Sequence, residues 1–135
     1  MNRDELLALA DRVEALTYVD RKVDCAIEVA IAGFPEKQYQ ARNALRSKGT
    51  SPLDRMGWLE TWSVLAFTAS LDAAMTLVPE GAVWNAGNDD GNWAHVWHDI
   101  KDYGGVPFSG RGATPAVALA AAALRALAAQ GGKSS

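Results

Sequence analysis

Leu6, Leu9, Ala10, Val13 and Leu16 recur every three to four residues in an otherwise charged opening segment. That spacing predicts an amphipathic helix over about Arg3 to Leu16. After a break at Thr17-Tyr18-Val19, Asp20 is a good N-cap for a second helix, because its carboxylate can accept from free backbone amides. Val23, Ala26, Ile27, Ala30 and Ile31 form the buried face of that helix, and Gly33 ends it. Glu36 to Lys48 has helical composition, with Tyr39, Arg42, Leu45 and Arg46 on one side, until Gly49-Thr50-Ser51-Pro52 breaks it. Pro52 suits the first position of a further short helix capped by Ser51, with Leu53, Met56, Leu59 and Trp62 at the right spacing. Trp58 and Trp62 are four apart and would share a face.

The period then changes. Thr68 or Ser70 caps a helix with Leu71, Ala74, Met75 and Val78 inward, and Pro79 stops it. Ala82 to Ala86 reads as a strand and Gly87-Asn88-Asp89-Asp90-Gly91 as a turn of residues that tolerate positive φ. In the returning strand, Asn92 to His98, Trp93, His95 and Trp97 share one face and Ala94, Val96 and His98 the other. Two strands alone are marginal, so a third is expected near Ile100 to Phe108, or else a partner chain. Thr114-Pro115 then opens an alanine-rich helix to Ala129, a capping hydroxyl followed by the residue that needs no amide donor. The sum is an α+β fold: a small antiparallel sheet of two to three strands packed between helices, as one domain over residues 1–130 with a fraying tail at 131–135.

With 135 residues, 49% of them hydrophobic and 21% charged, the chain can build an ordinary core. Its single cysteine, Cys25, reads as a small core residue in a reducing compartment. The start lacks a basic segment followed by an apolar run, and the longest apolar stretch, Ala113 to Ala129, is too short for a bilayer. A cytosolic protein without membrane contact is therefore expected. The net charge of −3 opposes binding to nucleic acid. Between Phe34 and Trp58, however, Lys37, Arg42, Arg46, Lys48 and Arg55 outnumber Glu36 and Asp54, and a local cationic patch can draw a small anion.

No catalytic constellation is legible, and neither a metal nor another cofactor is expected. His95 and His98 are three apart on a strand and do not converge; Cys25 and the serines lack an elbow motif; no phosphate-binding glycine fingerprint occurs. Binding is thus favoured over turnover. Arg111, between Gly110 and Gly112 and just ahead of a helix start, has the makings of an anion site: small neighbours, a helix end and a guanidinium. Trp84, Trp93 and Trp97 offer flat faces for a base, although one or two of them must belong to the core.

Four segments resemble the bacteriophage ABA-sandwich domain family. They are Asp20-Arg21-Lys22-Val23-Asp24, Phe67 to Ala74, Leu77-Val78-Pro79-Glu80-Gly81, and Gly112 to Leu119, within a likeness spanning Leu6 to Ala32 and Phe67 to Ala126. Against that pattern the helical stretch at about 34–62 is an insertion, and Ala82 stands where tryptophan is expected. The layout is similar to that of the Thoeris anti-defense sponges, which oligomerise and sequester a cyclic ADP-ribose signal. The resemblance implies a phage or prophage protein in the host bacterial cytoplasm, a homo-oligomer that captures a small nucleotide without turning it over. Trp84 would stack on the base, Asn92 make a polar contact and Arg111 hold phosphate, with Arg21 and Arg42 as further candidates. Trp84 and Arg111 would then open toward a common hollow. The alternative is a phage accessory or structural protein acting through protein–protein contacts, with no small ligand.

Overall fold

The computed structural model describes residues 3–45, 54–61, 64–98 and 107–131. Along the chain run α1 (Arg3–Glu14), α2 (Arg21–Ala32), α3 (Glu36–Leu45), α4 (Arg55–Thr61), α5 (Leu71–Met75), β1 (Ala82–Gly87), β2 (Asn92–His98), β3 (Phe108–Gly112) and α6 (Pro115–Gly131). The α+β class and the small antiparallel sheet are those the hydrophobic pattern predicts. The strands form one open sheet in the order β1-β2-β3. α6 lies across it and α1 lies against α6, so the described helices that touch the sheet cover one face and leave the other open.

Local signals act where expected. The Asp20 carboxylate accepts from the amides of Lys22 and Val23, and Gly33 closes α2 at φ 80°. Thr114 Oγ1 accepts from the Val117 amide at 3.2 Å at the start of α6. Ser70, not Thr68, caps α5. α5 stops at Met75 after little more than one turn, which leaves Leu71 and Met75 exposed instead of inward; Ala73, Ala74 and Leu77 face the core. Asp54 accepts from the Gly57 amide at 2.6 Å at the start of α4. The expected Ser51-Pro52 start and the Trp58–Trp62 stack involve residues outside those described, as do residues 132–135 of the expected tail.

The third strand lies later than expected, at Phe108–Gly112, and takes in the Gly110-Arg111-Gly112 stretch. Packing explains it. Gly110 faces α6 so closely that a Cβ there would run into the Ala118 carbonyl and the Ala122 amide, and one at Gly112 would strike Val117. The two glycines are the flat side of a strand on which an alanine helix rests. The core is accordingly dominated by α6, buried from Ala116 to Leu124, against Ala94 and Val96 of the sheet and Ala10 and Val13 of α1.

Asp24 is fully buried. It accepts from the Thr68 amide at 2.8 Å and from Arg21 Nη1 at 3.2 Å, while the Asp20 amide donates to Thr68 Oγ1 at 3.2 Å. These bonds tie the start of α2 to the segment before α5, and a buried carboxylate needs such partners.

Candidate functional site: a groove on the open face of the sheet

Strand register decides which side chains meet. Trp93 stands opposite Arg111 and Gly87, and His95 opposite Ser109 and Asn85. Directly opposed residues share a face, so Trp93, His95, Ser109 and Arg111 project together from the side away from α6. With Asp89 and Asp90 of the hairpin turn they line a groove of about 380 Å³, within the range of small-molecule sites, roughly 300–1,000 Å³.

The groove floor is held firmly. The indole of Trp93 lies over Gly87, where a Cβ would collide with it, and donates Nε1–H to Asp89 Oδ1 at 2.7 Å. That bond keeps the Asp89 carboxyl below its usual range. The imidazole of His95 leans on the indole, centroids 5.0 Å apart, and its Nδ1 is 3.0 Å from Ser109 Oγ. Arg111 Nη1 donates to the Asp90 carbonyl at 3.3 Å, so the guanidinium lies beside the turn with most of its donors uncommitted among the described residues.

Behind Arg111 the sheet edge is sealed. Its amide donates to Glu14 Oε2 at 2.8 Å, and the Ser109 carbonyl accepts from Arg125 Nη1 at 2.8 Å. Arg125 also binds both Glu14 oxygens at 2.7 Å and Asp11 Oδ1 at 2.8 Å. The hydrogen bonds from Arg125, together with the Arg111 amide, hold the Glu14 carboxyl below its usual range. An edge strand whose free amide and carbonyl are occupied by charged side chains is protected from pairing with another strand.

The expected site residues are dispersed. Arg111 lines the groove. Trp84 stands opposite Val96, on the α6 side, half-buried against the core. The sheet therefore separates Trp84 from Arg111, and the common hollow expected between them does not form. Trp93, one of the three tryptophans considered, supplies the indole instead. Asn92 shares the α6 side and donates Nδ2–H to the Ala113 carbonyl at 2.9 Å, pinning the β3–α6 corner. Arg21 donates to the carbonyls of Val64 and Leu65 at 3.0 and 3.4 Å besides its pair with Asp24. Arg42 is exposed on α3, whose Tyr39 packs with Phe34 and Trp58, away from the groove. In the expected cationic patch, Arg55 is paired with Glu36 and stacked over Phe34, while Arg46 and Lys48 lie outside the described residues. The glycines beside Arg111 serve helix packing, and the Arg111 amide is engaged by Glu14, so neither offers a backbone cradle for phosphate.

His95, Ser109, Asp89 and Asp90 went unassigned. The face shared by Trp93 and His95 was legible from alternation; joining it to Ser109 and Arg111 required the β2–β3 register. Among the described residues no cluster of three or more potential metal ligands occurs, and no helix is long and apolar enough to cross a membrane. No family model, curated protein or solved structure matches the chain.

Proposed function

We propose that this protein captures a small nucleotide in the groove on its open sheet face and holds it without turnover. One observation carries this reading: an indole locked by Asp89 and a guanidinium with free donors stand on the same face, lining one groove. A nucleobase stacks on a rigid indole, and a phosphate takes bidentate hydrogen bonds from arginine. The biological role follows the resemblance: a phage or prophage protein of the host bacterial cytoplasm that blocks defense by sequestering a signal of the cyclic ADP-ribose type, acting as a homo-oligomer.

Calorimetry of the whole protein with cyclic ADP-ribose isomers and adenosine monophosphate tests the reading. Micromolar binding that Trp93→Ala and Arg111→Ala each weaken by about tenfold or more is expected. Absence of heat for every nucleotide, with the protein folded, refutes it. The accessory-protein reading draws on Val83, which is exposed and stands opposite Trp97 on the open face. It predicts a stable complex with another protein and no small ligand.

A further inference from the structure

We infer that β1 is an interface strand: its free edge pairs antiparallel with β1 of a second copy, joining two three-stranded sheets into one. The pairing supplies a contact surface for the homo-oligomer of the reading above, but it stands on the sheet edge and not on the groove.

The two edges of the sheet are not equivalent. At the β3 edge the Arg111 amide and the Ser109 carbonyl point away from β2, where Glu14 and Arg125 occupy them. Along an antiparallel strand, residues that bond one neighbour alternate with residues that bond the other. Ser109 and Arg111 point outward, so Phe108, Gly110 and Gly112 bond Val96, Ala94 and Asn92. Trp93, His95 and Trp97 then bond Gly87, Asn85 and Val83, which leaves the main chain of Ala82, Trp84 and Ala86 directed away from the sheet. The Ala82 amide donates to the Pro79 carbonyl at 3.0 Å. The Ala82 carbonyl and the outward amides and carbonyls of Trp84 and Ala86 have no hydrogen-bond partner among the described residues. Ala82–Gly87 also contains neither proline nor a charged residue, the usual guards of an edge strand.

A second copy fits this edge bond for bond. With a two-fold axis at Trp84, the two Trp84 residues face each other and Ala82 of each copy faces Ala86 of the other. Each free amide then meets a free carbonyl: Trp84 donates to Trp84 and Ala86 donates to Ala82, in both directions. The Ala82 amide, already engaged, is not needed for any of these bonds. Trp84 is half-buried on the α6 side, and α6 lies mainly over β2 and β3, so the two indoles cover each other's remaining surface. Because the β3 edge is sealed, pairing closes at two copies and no filament grows. One short strand buries less than the roughly 800 Å² per partner of a standard interface, so the dimer should dissociate on dilution.

The test is sedimentation velocity of the full chain without nucleotide, across a dilution series reaching high micromolar concentration, with disulfide cross-linking to read the register. In this pairing Val83 faces Asn85 of the second copy as a non-hydrogen-bonded pair, whose Cα atoms lie about 4.5 Å apart, within reach of a disulfide. Both residues are exposed, and the native Cys25 is buried. The expected results are a monomer–dimer equilibrium and faster cross-linking in a mixture of Val83→Cys and Asn85→Cys than in either variant alone. Ala86→Pro removes an amide that β2 does not use, so the sheet keeps its own bonds. It should weaken dimerisation by about tenfold or more. A wild type that stays monomeric at every concentration overturns the inference. So does a dimer that folded Ala86→Pro leaves undiminished, or one in which the mixed cysteines cross-link no faster than the single ones. The cysteine readout decides alone if Ala86→Pro does not fold. Dimerisation in this register without nucleotide binding supports the interface and refutes only capture; nucleotide binding by a strict monomer does the reverse.

Discussion

Replacing Gly110 by alanine separates two explanations of the Gly110-Arg111-Gly112 stretch. If the glycines admit a ligand, the variant folds normally and loses affinity. If they admit α6, it loses stability. The added Cβ would meet the Ala118 carbonyl and the Ala122 amide, both main chain of α6, with the Ala121 methyl at 3.1 Å. No side chain can rotate aside, so the helix must retreat by about 1 Å to restore ordinary contact distances. Overpacking of this kind costs about 1–3 kcal/mol. Reduced freedom of the unfolded chain returns about 0.4–1 kcal/mol. The net loss of roughly 1–2 kcal/mol is a sizeable part of a total stability of about 5–15 kcal/mol. It should lower Tm by roughly 4–8 °C. Thermal unfolding followed by far-ultraviolet circular dichroism gives the value, and urea titration gives it independently. Gly81→Ala is the control: no atom lies within 4 Å of its would-be Cβ, so only its φ of 83° opposes the change. A Gly110→Ala protein as stable as the wild type would refute direct helix-on-glycine packing; if it also failed to bind nucleotide, the glycines would belong to the ligand.

Three further outcomes are expected. Asp24→Ala leaves the Thr68 amide buried without its acceptor and should cost about 2–3 kcal/mol by urea unfolding; Arg21→Ala should cost less and leave nucleotide affinity unchanged. Trp84→Ala should lower stability by about 2 kcal/mol with affinity retained, whereas Trp93→Ala should weaken nucleotide binding by about tenfold or more with a smaller change in stability. Acid should loosen the α1–α6–β3 corner, because the folded-state pKa of Glu14 is depressed. Its contribution is complete above the ordinary carboxyl value near 4.5 and is lost as pH falls from there through the lowered folded-state value. The stability gap between the wild type and Glu14→Gln, measured by urea midpoint, should therefore be widest near neutral pH and narrow in acid; a gap independent of pH would contradict it.

The starts of α2, α5 and α6, the stop of α2, the hairpin and the division of β2 into two faces could all be read from the chain, because caps, turn residues and alternation act over a few neighbours. Asp20, Ser70, Gly33 and Thr114 do locally what their side chains, or the lack of one, dictate. The sequence also named Arg111 as a candidate cation and Trp93 among the candidate stacking surfaces. It could not pair them. Whether Arg111 meets Trp84 or Trp93 depends on a register between strands separated along the chain, and moving that register by one residue exchanges the two faces of a strand. The register is set by α6, which needs Gly110 and Gly112 beneath it and so turns Arg111 outward. The sealed edge at Glu14 and Arg125 is equally a product of tertiary structure, joining residues 111 positions apart. Local chemistry chose the elements; close packing of a small-residue helix on a glycine-faced strand chose which side chains share the groove.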